Sequence, residues 1–328
     1  MLTSDKIHTV FDRRSPSSSL SELSIRLLDQ QRQTWPQLAG GYASLATVKT
    51  RDIDCDGYSV ILQFNPGRIA STDANMDPKA IRERRCFLCL QNLPSPQKGI
   101  LYEGEFLLLC NPAPIFAQHY TISNVKHIPQ ALEPFIPTFL NLARDLSPAF
   151  TVFYNGPKCG ASAPDHMHFQ AGPAGVIPVE RDCVDDRRRV LKRTVDGIPV
   201  SLLDRYGREA LIFEGRDAGA VEGVLRRAID ALRRVMQTSE EPMMNMLCTC
   251  KDSKWQIILF PRSKHRPEAY FKEEEERIVI SPAAVDIGGL LITPVEKDFN
   301  SVGAEVLEGI FREVGVSRQV VEAIIEAI

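Results

Sequence analysis

The sequence predicts a fold that combines a mixed β-sheet with helices, once in each half of the 328-residue chain. In the first half, a nearly continuous apolar run at 105–112 is typical of a buried strand, and residues 129–146 have the apolar spacing of an amphipathic helix. In the second half, residues 217–236 place apolar side chains on one helical face and arginines on the other, and strand-like segments follow at 244–250 and 255–260. Such elements bury their apolar faces by packing in layers.

The composition excludes several classes of function. Hydrophobic residues make up 44% of the chain and charged residues 25%, as in globular proteins. The formal net charge of −3 gives no general attraction to nucleic acids or anionic membranes. No apolar run approaches the roughly 20 residues of a membrane helix, and the first residues lack a signal peptide's apolar segment. We therefore expect a cytoplasmic protein without nucleic-acid or membrane partners, in which any phosphate recognition is local.

The elements around this framework follow from local patterns. Residues 1–18 are polar and are expected to be flexible. An amphipathic helix starts after Leu20 and ends near Pro36. We then predict a β-hairpin with arms at 45–47 and 58–64 and a turn between them. Near the C-terminal end, a strand over 290–293 and two amphipathic helices, at 302–314 and 319–328, complete the second half.

The most informative stretch is a strand-like segment at 165–170. In an extended backbone alternate side chains share a face, so His166, His168 and Gln170 point one way while Met167 and Phe169 enter a core. Two imidazoles and an amide in a row could hold a phosphate, ligate a metal or attack phosphorus. The alternative is a polar edge strand whose histidines face water.

A run of small residues precedes this strand and supports an anion site. Gly156, Gly160, Ala161 and Ser162 lack bulk, so backbone N–H groups there can closely approach an anion. The whole segment over 154–170 resembles the active-site strand of the histidine-triad superfamily, in the branch where glutamine replaces the third histidine. That branch contains diadenosine tetraphosphate phosphorylases, GDP-hexose phosphorylases and galactose-1-phosphate uridylyltransferases.

The resemblance implies an α+β fold with two tandem histidine-triad-like halves, each a mixed or antiparallel sheet with helices. The first half, 19–175, would be catalytic, and the second, 176–328, would lack the histidine motif. The implied reaction is nucleotidyl transfer through a covalent nucleotidyl-histidine intermediate. By position His168 would be the nucleophile, with Gln170 and Ser162 holding the phosphate oxygens. Backbone N–H groups near Gly160 and Ala161 and the side chain of Asn155 complete the implied phosphate site.

A Cys-x-x-Cys pair, Cys86 and Cys89, predicts a metal site. Two thiolates supply half of a tetrahedral zinc shell. Uridylyltransferases of the branch complete theirs with a distant histidine and the first histidine of the active-site strand. The resemblance therefore implies His127 and His166, with His119 as the alternative third ligand. A four-coordinate zinc would be structural, and no organic cofactor is expected. Otherwise the cysteines are buried as small hydrophobes.

Further candidates for the nucleotide cleft come from shorter motifs. The segments Asn65-Pro66-Gly67-Arg68, Asn111-Pro112-Ala113-Pro114 and Pro261-Arg262-Ser263-Lys264 resemble parts of the phosphorylases. By that resemblance Asn65, Arg68, Asn111, Arg262 and Lys264 would bind the nucleotide or its phosphates. Each motif also has an ordinary explanation as a turn, a strand-end cap or a basic hairpin end. The charged segment 180–189 is expected to lie in solvent, the alternative being contact with a second substrate.

Taken together, the residues and the resemblance imply an enzyme that acts on a nucleoside di- or polyphosphate. It is most like the diadenosine tetraphosphate phosphorylases (ATP adenylyltransferases), with an NDP-hexose phosphorylase or a hexose-1-phosphate uridylyltransferase as alternatives. The acceptor would be phosphate or a sugar phosphate, and a homodimer is left open. A non-catalytic nucleotide-binding module and a zinc-stabilised interaction module are the alternatives of other classes. The sequence alone does not select the base or the acceptor.

Overall fold

The computed structural model describes residues 4–14, 18–72 and 77–328. Their strands are β1 Ile7–Phe11, β2 Lys49–Cys55, β3 Tyr58–Phe64, β4 Gly99–Tyr102, β5 Phe106–Cys110, β6 Tyr120–Asn124, β7 Phe150–Asn155, β8 His168–Pro173, β9 Arg189–Val195, β10 Ile198–Leu203, β11 Leu211–Gly215, β12 Met244–Lys251, β13 Lys254–Pro261 and β14 Leu290–Thr293. Their helices are α1 Leu20–Thr34, α2 Pro36–Ser44, α3 Ile69–Thr72, α4 Pro78–Glu83, α5 Ile136–Asp145, α6 Pro178–Asp182, α7 Ala218–Val235, α8 Ala284–Ile287, α9 Glu296–Ser301, α10 Ala304–Val314 and α11 Arg318–Ala327. Within these ranges no helix has the length and apolar character of a membrane span.

One eleven-stranded sheet runs through both halves of the chain. Its order is β1-β4-β5-β6-β8-β7-β12-β13-β11-β10-β9, and only the β1–β4 pair at its edge is parallel. The halves meet where β7 and β12 pair antiparallel, with Asn155 opposite Asn245. The predicted α+β class is therefore confirmed, and the strands of the two halves form one hydrogen-bonded surface.

The two faces of the large sheet bury two separate cores. On one face, α1, α2, α5, α7 and α11 cover apolar side chains that include Val152 and Tyr154 of β7. On the other face, a three-stranded sheet of order β14-β3-β2 packs with α6, α8 and α10. Phe153 belongs to this second core because consecutive side chains of a strand point to opposite faces. Strand β8, which carries His168 and Gln170, lies between β6 and β7, in the middle of these layers.

The structure differs from the sequence-based expectation in two places. Ile7–Phe11, within the segment expected to be flexible, forms β1, because Phe11 is buried and stacks on Tyr102 at 5.8 Å between ring centroids. Residues 1–3 and 15–17 of that segment lie outside the described residues. The first hairpin arm is Lys49–Cys55, whereas Leu45–Thr47 forms a short helical turn. The boundaries after residues 18 and 175 stay predictions.

Arg262 is a structural residue, which corrects its assignment as a phosphate ligand. Its side chain is fully buried at the end of β13. Nε donates to the Val314 carbonyl at 3.0 Å, Nη1 to Asn245 Oδ1 and the Pro282 carbonyl, and Nη2 to two further carbonyls, those of Lys264 and His265. The five N–H groups of a guanidinium are thus all used within the fold.

The side chain of Lys264 is partly exposed and engaged in ion pairs. Its side chain is 46% exposed and its ammonium group pairs with Glu313 at 2.9 Å and with Glu268 at 3.3 Å. These contacts place it on the surface beside α10. Within this motif Arg262 is fully engaged inside the fold, and phosphate binding by Lys264 stays a prediction.

We expect the substitution Arg262→Met to lower the free energy of unfolding by about 3 kcal/mol or more, because it leaves several buried carbonyl oxygens without a donor. Urea denaturation, read by circular dichroism, measures this difference. The matched control is Lys264→Ala, which should unfold at nearly the wild-type urea concentration because surface ion pairs contribute little. An Arg262→Met protein as stable as the control would contradict the structural role.

Candidate active site

His168 begins β8 and is held as a neutral imidazole. Its side chain is 3% exposed, and Nδ1 lies 2.8 Å from the His166 carbonyl oxygen. A carbonyl oxygen only accepts, so Nδ1 carries the proton and Nε2 keeps its lone pair. Burial lowers the pKa of His168 to about 4. The residue thus presents an unprotonated nitrogen, which is the form that attacks phosphorus.

The position of His168 is set by a side-chain amide that the sequence analysis did not assign. Gln130 Oε1 accepts from the His168 backbone N–H at 2.8 Å, and its Nε2 donates to the carbonyls of His168 at 3.0 Å and Asn155 at 2.9 Å. Gln130 is 3% exposed. Phe169, next along β8, stacks on Phe139 of α5 with ring centroids 5.3 Å apart. The start of β8 is therefore held by hydrogen bonds to its backbone and by the packing of Phe169.

Gln170, two residues further on the same face, is oriented by His119. His119 Nε2 lies 2.8 Å from Gln170 Oε1, and His119 Nδ1 accepts from the Ile115 N–H at 3.4 Å. His119 Nε2 therefore carries the proton and donates to Gln170 Oε1, which leaves the amide N–H groups of Gln170 to face the cavity. His119 is fully buried, and burial lowers its pKa to about 3. Its ring is engaged with Gln170, so the structure does not support His119 as the third metal ligand.

A cavity of about 650 Å³ opens in front of His168. This volume lies within the range of small-molecule sites. Ser162, Gln170, Arg68 and Asn111 are among its polar lining residues. Its apolar lining includes Trp35, Phe87, Leu88, Leu93, Pro94, Leu109, Pro112 and Ala113. The lining thus combines groups that can bind phosphate oxygens with groups that can contact an apolar ring.

A second, smaller cavity of about 70 Å³ lies beyond Gln170 and is lined by both halves of the chain. It shares Arg68, Ser162 and Gln170 with the large cavity. Predicted site residues Asn155, Gly160 and Ala161 line it from the first half. Its remaining lining is Thr72, Ile115, His119, Phe153, His265, Arg266, Ser281, Ala283, Val285, Asp286 and Ile292.

The loop that brings Gly160 to this cavity requires glycine. Its φ is +100°, a region that L side chains rarely adopt, and an added Cβ would lie 2.5 Å from Ala283 Cβ. The first-half loop therefore touches the second half directly. Asn155 strengthens the same junction, since its Oδ1 accepts from Asn245 Nδ2 at 3.0 Å and from the Ala284 N–H at 2.7 Å. Asn155 thus acts mainly as a brace between the halves.

The remaining predicted cleft residues fall into two groups. Arg68 donates through Nη1 to the Ala113 carbonyl at 2.6 Å, and Asn111 Oδ1 accepts from the Ala113 N–H at 2.9 Å, so both shape the cavity wall that they line. Asn65 is 2% exposed and donates to the Pro114 carbonyl at 3.2 Å. It supports the turn before Arg68 and, within the described part of the chain, is not part of either cavity wall. The same is true of the charged segment 180–189.

Cys86, Cys89, His127 and His166 form a cluster that could hold a metal ion. Their ligand atoms all lie within 4.8 Å of one another. Cys86 Sγ is 3.3 Å and Cys89 Sγ 3.6 Å from His166 Nδ1, and Cys89 Sγ is 3.2 Å from His127 Nδ1. Tetrahedral bonds of about 2.3 Å to sulfur and about 2.0 Å to nitrogen place such atoms about 3.5 Å apart. The predicted four-residue set therefore fits a tetrahedral ion.

Groups around the cluster orient its histidines. His166 Nε2 donates to the Asn124 carbonyl at 2.8 Å, which leaves Nδ1 unprotonated toward the cysteines. His127 Nε2 lies 3.8 Å from Asp165 Oδ2. Asp165 in turn pairs with Arg84 at 2.6 Å, and Arg84 also donates to the Ser162 carbonyl at 3.3 Å. The cluster is thus connected to the loop that carries Ser162 to the wall of the large cavity.

Comparison with known folds identifies the same architecture in solved structures. Yeast Ap4A phosphorylase Apa2 superposes with a TM-score of 0.55 at 16% identity, covering 85% of this chain and 93% of that one. Its complex with AMP gives 0.53 at 17% identity, covering 88% and 96%, and its complex with Ap4A gives 0.51 at 16%, covering 86% and 97%. These similarities confirm the predicted fold. No curated protein matches the chain by sequence.

Two family models match most of the chain in succession. The domain of unknown function DUF4922 matches residues 27–173, and the GDPGP1-like C-terminal domain matches residues 183–328. The first match contains the His-x-His-x-Gln strand, and the second contains the half that lacks it. Together with the fold, these matches support the resemblance to the histidine-triad-like nucleotidyltransferases drawn from residues 154–170.

Proposed function

We propose that this protein transfers a nucleotidyl group from a nucleoside di- or polyphosphate to a phosphate-bearing acceptor, in the manner of a dinucleoside tetraphosphate phosphorylase. The observation that carries this proposal is the neutral His168 at the wall of a 650 Å³ cavity, beside Ser162 and Gln170. Superposition on a phosphorylase solved in complex with AMP and with Ap4A supports the choice of donor. An NDP-hexose donor is the alternative, and the test below includes it.

The reaction would proceed by two in-line displacements at the α-phosphorus. In the first, the lone pair of His168 Nε2 forms a bond to phosphorus, and the bond to the leaving phosphate oxygen breaks with its electron pair. The ring becomes cationic, and its Nδ1–H remains bonded to the His166 carbonyl, which stabilises that charge. In the second, an acceptor oxygen attacks phosphorus and the bond to Nε2 breaks, which restores the neutral imidazole.

The charge that develops on the phosphate oxygens needs donors that are already in place. The amide N–H groups of Gln170, the Ser162 hydroxyl and the guanidinium of Arg68 line the region where the two cavities join. His119 fixes the orientation of Gln170 through its 2.8 Å hydrogen bond. We assign Asn111, farther along the large cavity, to the ribose or base.

We further propose that the Cys86–Cys89–His127–His166 cluster binds zinc. Two thiolates and two imidazoles are a typical structural zinc set, and four protein ligands leave no open position for chemistry. When bound, the ion supplies a rigid cross-link among three chain segments. His166 would then anchor the backbone carbonyl that holds His168 Nδ1. The metal would therefore act on catalysis only by positioning His168.

Intact-mass analysis after incubation with nucleotides tests the nucleophile. The chain should gain the mass of one nucleoside monophosphate with at least one donor among ATP, GTP, UDP-sugars and dinucleoside polyphosphates. His168→Ala should gain none, because the nitrogen proposed to attack phosphorus is removed. The control is His8→Ala, a substitution of an exposed histidine on β1, which should label like the wild type. A label that survives in His168→Ala, or its absence with every donor, would contradict the proposal.

Removal of a cluster ligand tests the metal. We expect about one zinc per chain by elemental analysis of the purified protein, and its loss in Cys89→Ser. The variant should also melt at a lower temperature and form the nucleotidyl adduct more slowly, since His166 is no longer anchored. Cys55→Ser is the control, because Cys55 is half-buried and lies outside the cluster. Equal zinc content in Cys89→Ser and Cys55→Ser would count against the assignment.

A further inference from the structure

We propose that Lys6 is a positioning residue for the nucleoside part of the donor, because its ammonium group holds one wall of the large cavity in place. This inference rests on the proposed nucleotidyl transfer, and it makes the first turn of the described chain a contributor to donor affinity. Lys6 is not among the described residues that line either cavity. It acts through the backbone groups that it binds.

The wall in question is the stretch 93–97, which has few hydrogen-bond donors of its own. Pro94 and Pro96 lack a backbone N–H, so neither can donate to a neighbouring strand or turn. Within the stretch, the Gln97 N–H donates to the Pro94 carbonyl at 3.0 Å. The other carbonyl groups of the stretch therefore depend on donors from elsewhere in the chain.

Lys6 supplies most of these donors. Its Nζ donates to three consecutive carbonyl oxygens, those of Leu93 at 3.2 Å, Pro94 at 2.7 Å and Ser95 at 3.3 Å. An ammonium group has three N–H bonds, so the arrangement can use all of them. Lys6 is only 8% exposed, and water therefore cannot readily take its place. The backbone of the stretch is wrapped around one buried positive charge.

The next carbonyl of the stretch has a donor from helix α1. Gln31 Nε2 donates to the Pro96 carbonyl at 3.2 Å, and Gln31 is buried. Gln97, at the end of the stretch, donates through Nε2 to the Cys110 carbonyl at 3.4 Å. Four successive carbonyl groups, from 93 to 96, thus accept from two buried side chains. Lys6 accounts for three of these contacts.

The pairing of β1 with β4 explains why a residue so early in the chain reaches this wall. The two strands are parallel, with Ile7 opposite Gly99. Residues just before one strand therefore lie beside residues just before the other. Lys6 directly precedes β1, and the stretch 93–97 lies just before β4. The parallel edge pair of the sheet thus delivers the ammonium group to the cavity wall.

The stretch lines the large cavity with groups that suit a nucleoside. Leu93, Pro94 and Gln97 all belong to the lining. None of the three is charged and two are apolar, so this wall fits a base or a ribose better than a phosphate group. A wall that is loosened by the loss of the ammonium group should therefore weaken contacts with the nucleoside.

The nucleophile is held by contacts that do not involve this wall. His168 is bonded to Gln130 and to the His166 carbonyl. Loss of the Lys6 ammonium should therefore change donor affinity and leave the attacking nitrogen in place. The apparent Kd equals the intrinsic Kd divided by the fraction of molecules that are competent to bind. If the wall is in place in about one-tenth of the molecules, the apparent Kd rises about 10-fold.

Nucleotide binding to the whole chain tests this role without requiring turnover. By isothermal titration calorimetry, at least one of AMP, GMP and UMP should bind the wild type. Lys6→Met, which removes the charge and keeps most of the side-chain length, should bind that nucleotide about 10-fold more weakly. Lys6→Arg should retain most of the affinity, because a guanidinium still donates to the carbonyl groups. The matched control is Lys98→Met, a change of an exposed lysine beside the same stretch, which should bind like the wild type.

A second variant and a kinetic measurement separate positioning from a loss of folding. Melting curves verify that each variant is folded. Gln31→Leu removes only the donor to the Pro96 carbonyl and should weaken binding in the same direction by a smaller factor. If Lys6→Met does not fold, this variant decides by the same comparison with Lys98→Met. In the labelling reaction, Lys6→Met should need about 10-fold more donor for half-saturation and should reach the wild-type maximum rate.

Three results would overturn the role of Lys6. They are the binding of none of the three nucleotides by the wild type, equal affinity in folded Lys6→Met and Lys98→Met, and a lower maximum labelling rate at unchanged half-saturation. The proposed transfer fails separately. If no label forms with any donor while Lys6→Met still binds the nucleotide more weakly than the control, the transfer is refuted and the positioning of the wall by Lys6 stands.

Discussion

The chemistry of the site depends on one short hydrogen bond, from His168 Nδ1 to the carbonyl oxygen of His166. It fixes the tautomer, so that Nε2 has a lone pair. The residue that supplies the carbonyl also supplies its imidazole to the Cys/His cluster. A single residue therefore connects the candidate metal site to the candidate nucleophile. Gln130, bonded to both backbone groups of His168, removes the remaining freedom of the strand end.

The second half has no histidine motif of its own, yet the site is incomplete without it. The β7–β12 pair extends one sheet across the halves and places Asn245 opposite Asn155. Arg262, buried at the end of β13, binds Asn245 and the carbonyls of the following loop, which carries Lys264 and His265. The guanidinium of Arg262 thus holds this loop in place. The next arginine in the chain, Arg266, lines the smaller cavity.

The sequence predicted the features that depend on local pattern. Strand periodicity correctly placed Phe169 in the core and His168 and Gln170 toward a cavity. Ligand chemistry together with the family resemblance selected the four residues of the cluster that could hold a metal ion. Prediction from the sequence failed where burial or strand register determines the role of a residue. A charged residue in a turn-like motif looks available for binding, and nothing in the sequence indicates that Arg262 is enclosed by carbonyls. Nor could it pair His119 with Gln170, because that contact requires the β6–β8 register, in which Thr121 is opposite Gln170.

That register also explains what glutamine contributes as the last member of the motif. Phosphate oxygens only accept hydrogen bonds, so a group that faces them must present donors alone. The side-chain amide of Gln170 has one acceptor atom, Oε1, and His119 donates to it through its Nε2–H. The Ile115 N–H bonded to Nδ1 fixes the tautomer that makes this donation available. Because His119 is fully buried and neutral, the amide is oriented without a competing positive charge behind it. Gln170 thus acts as a fixed donor pair between the two cavities.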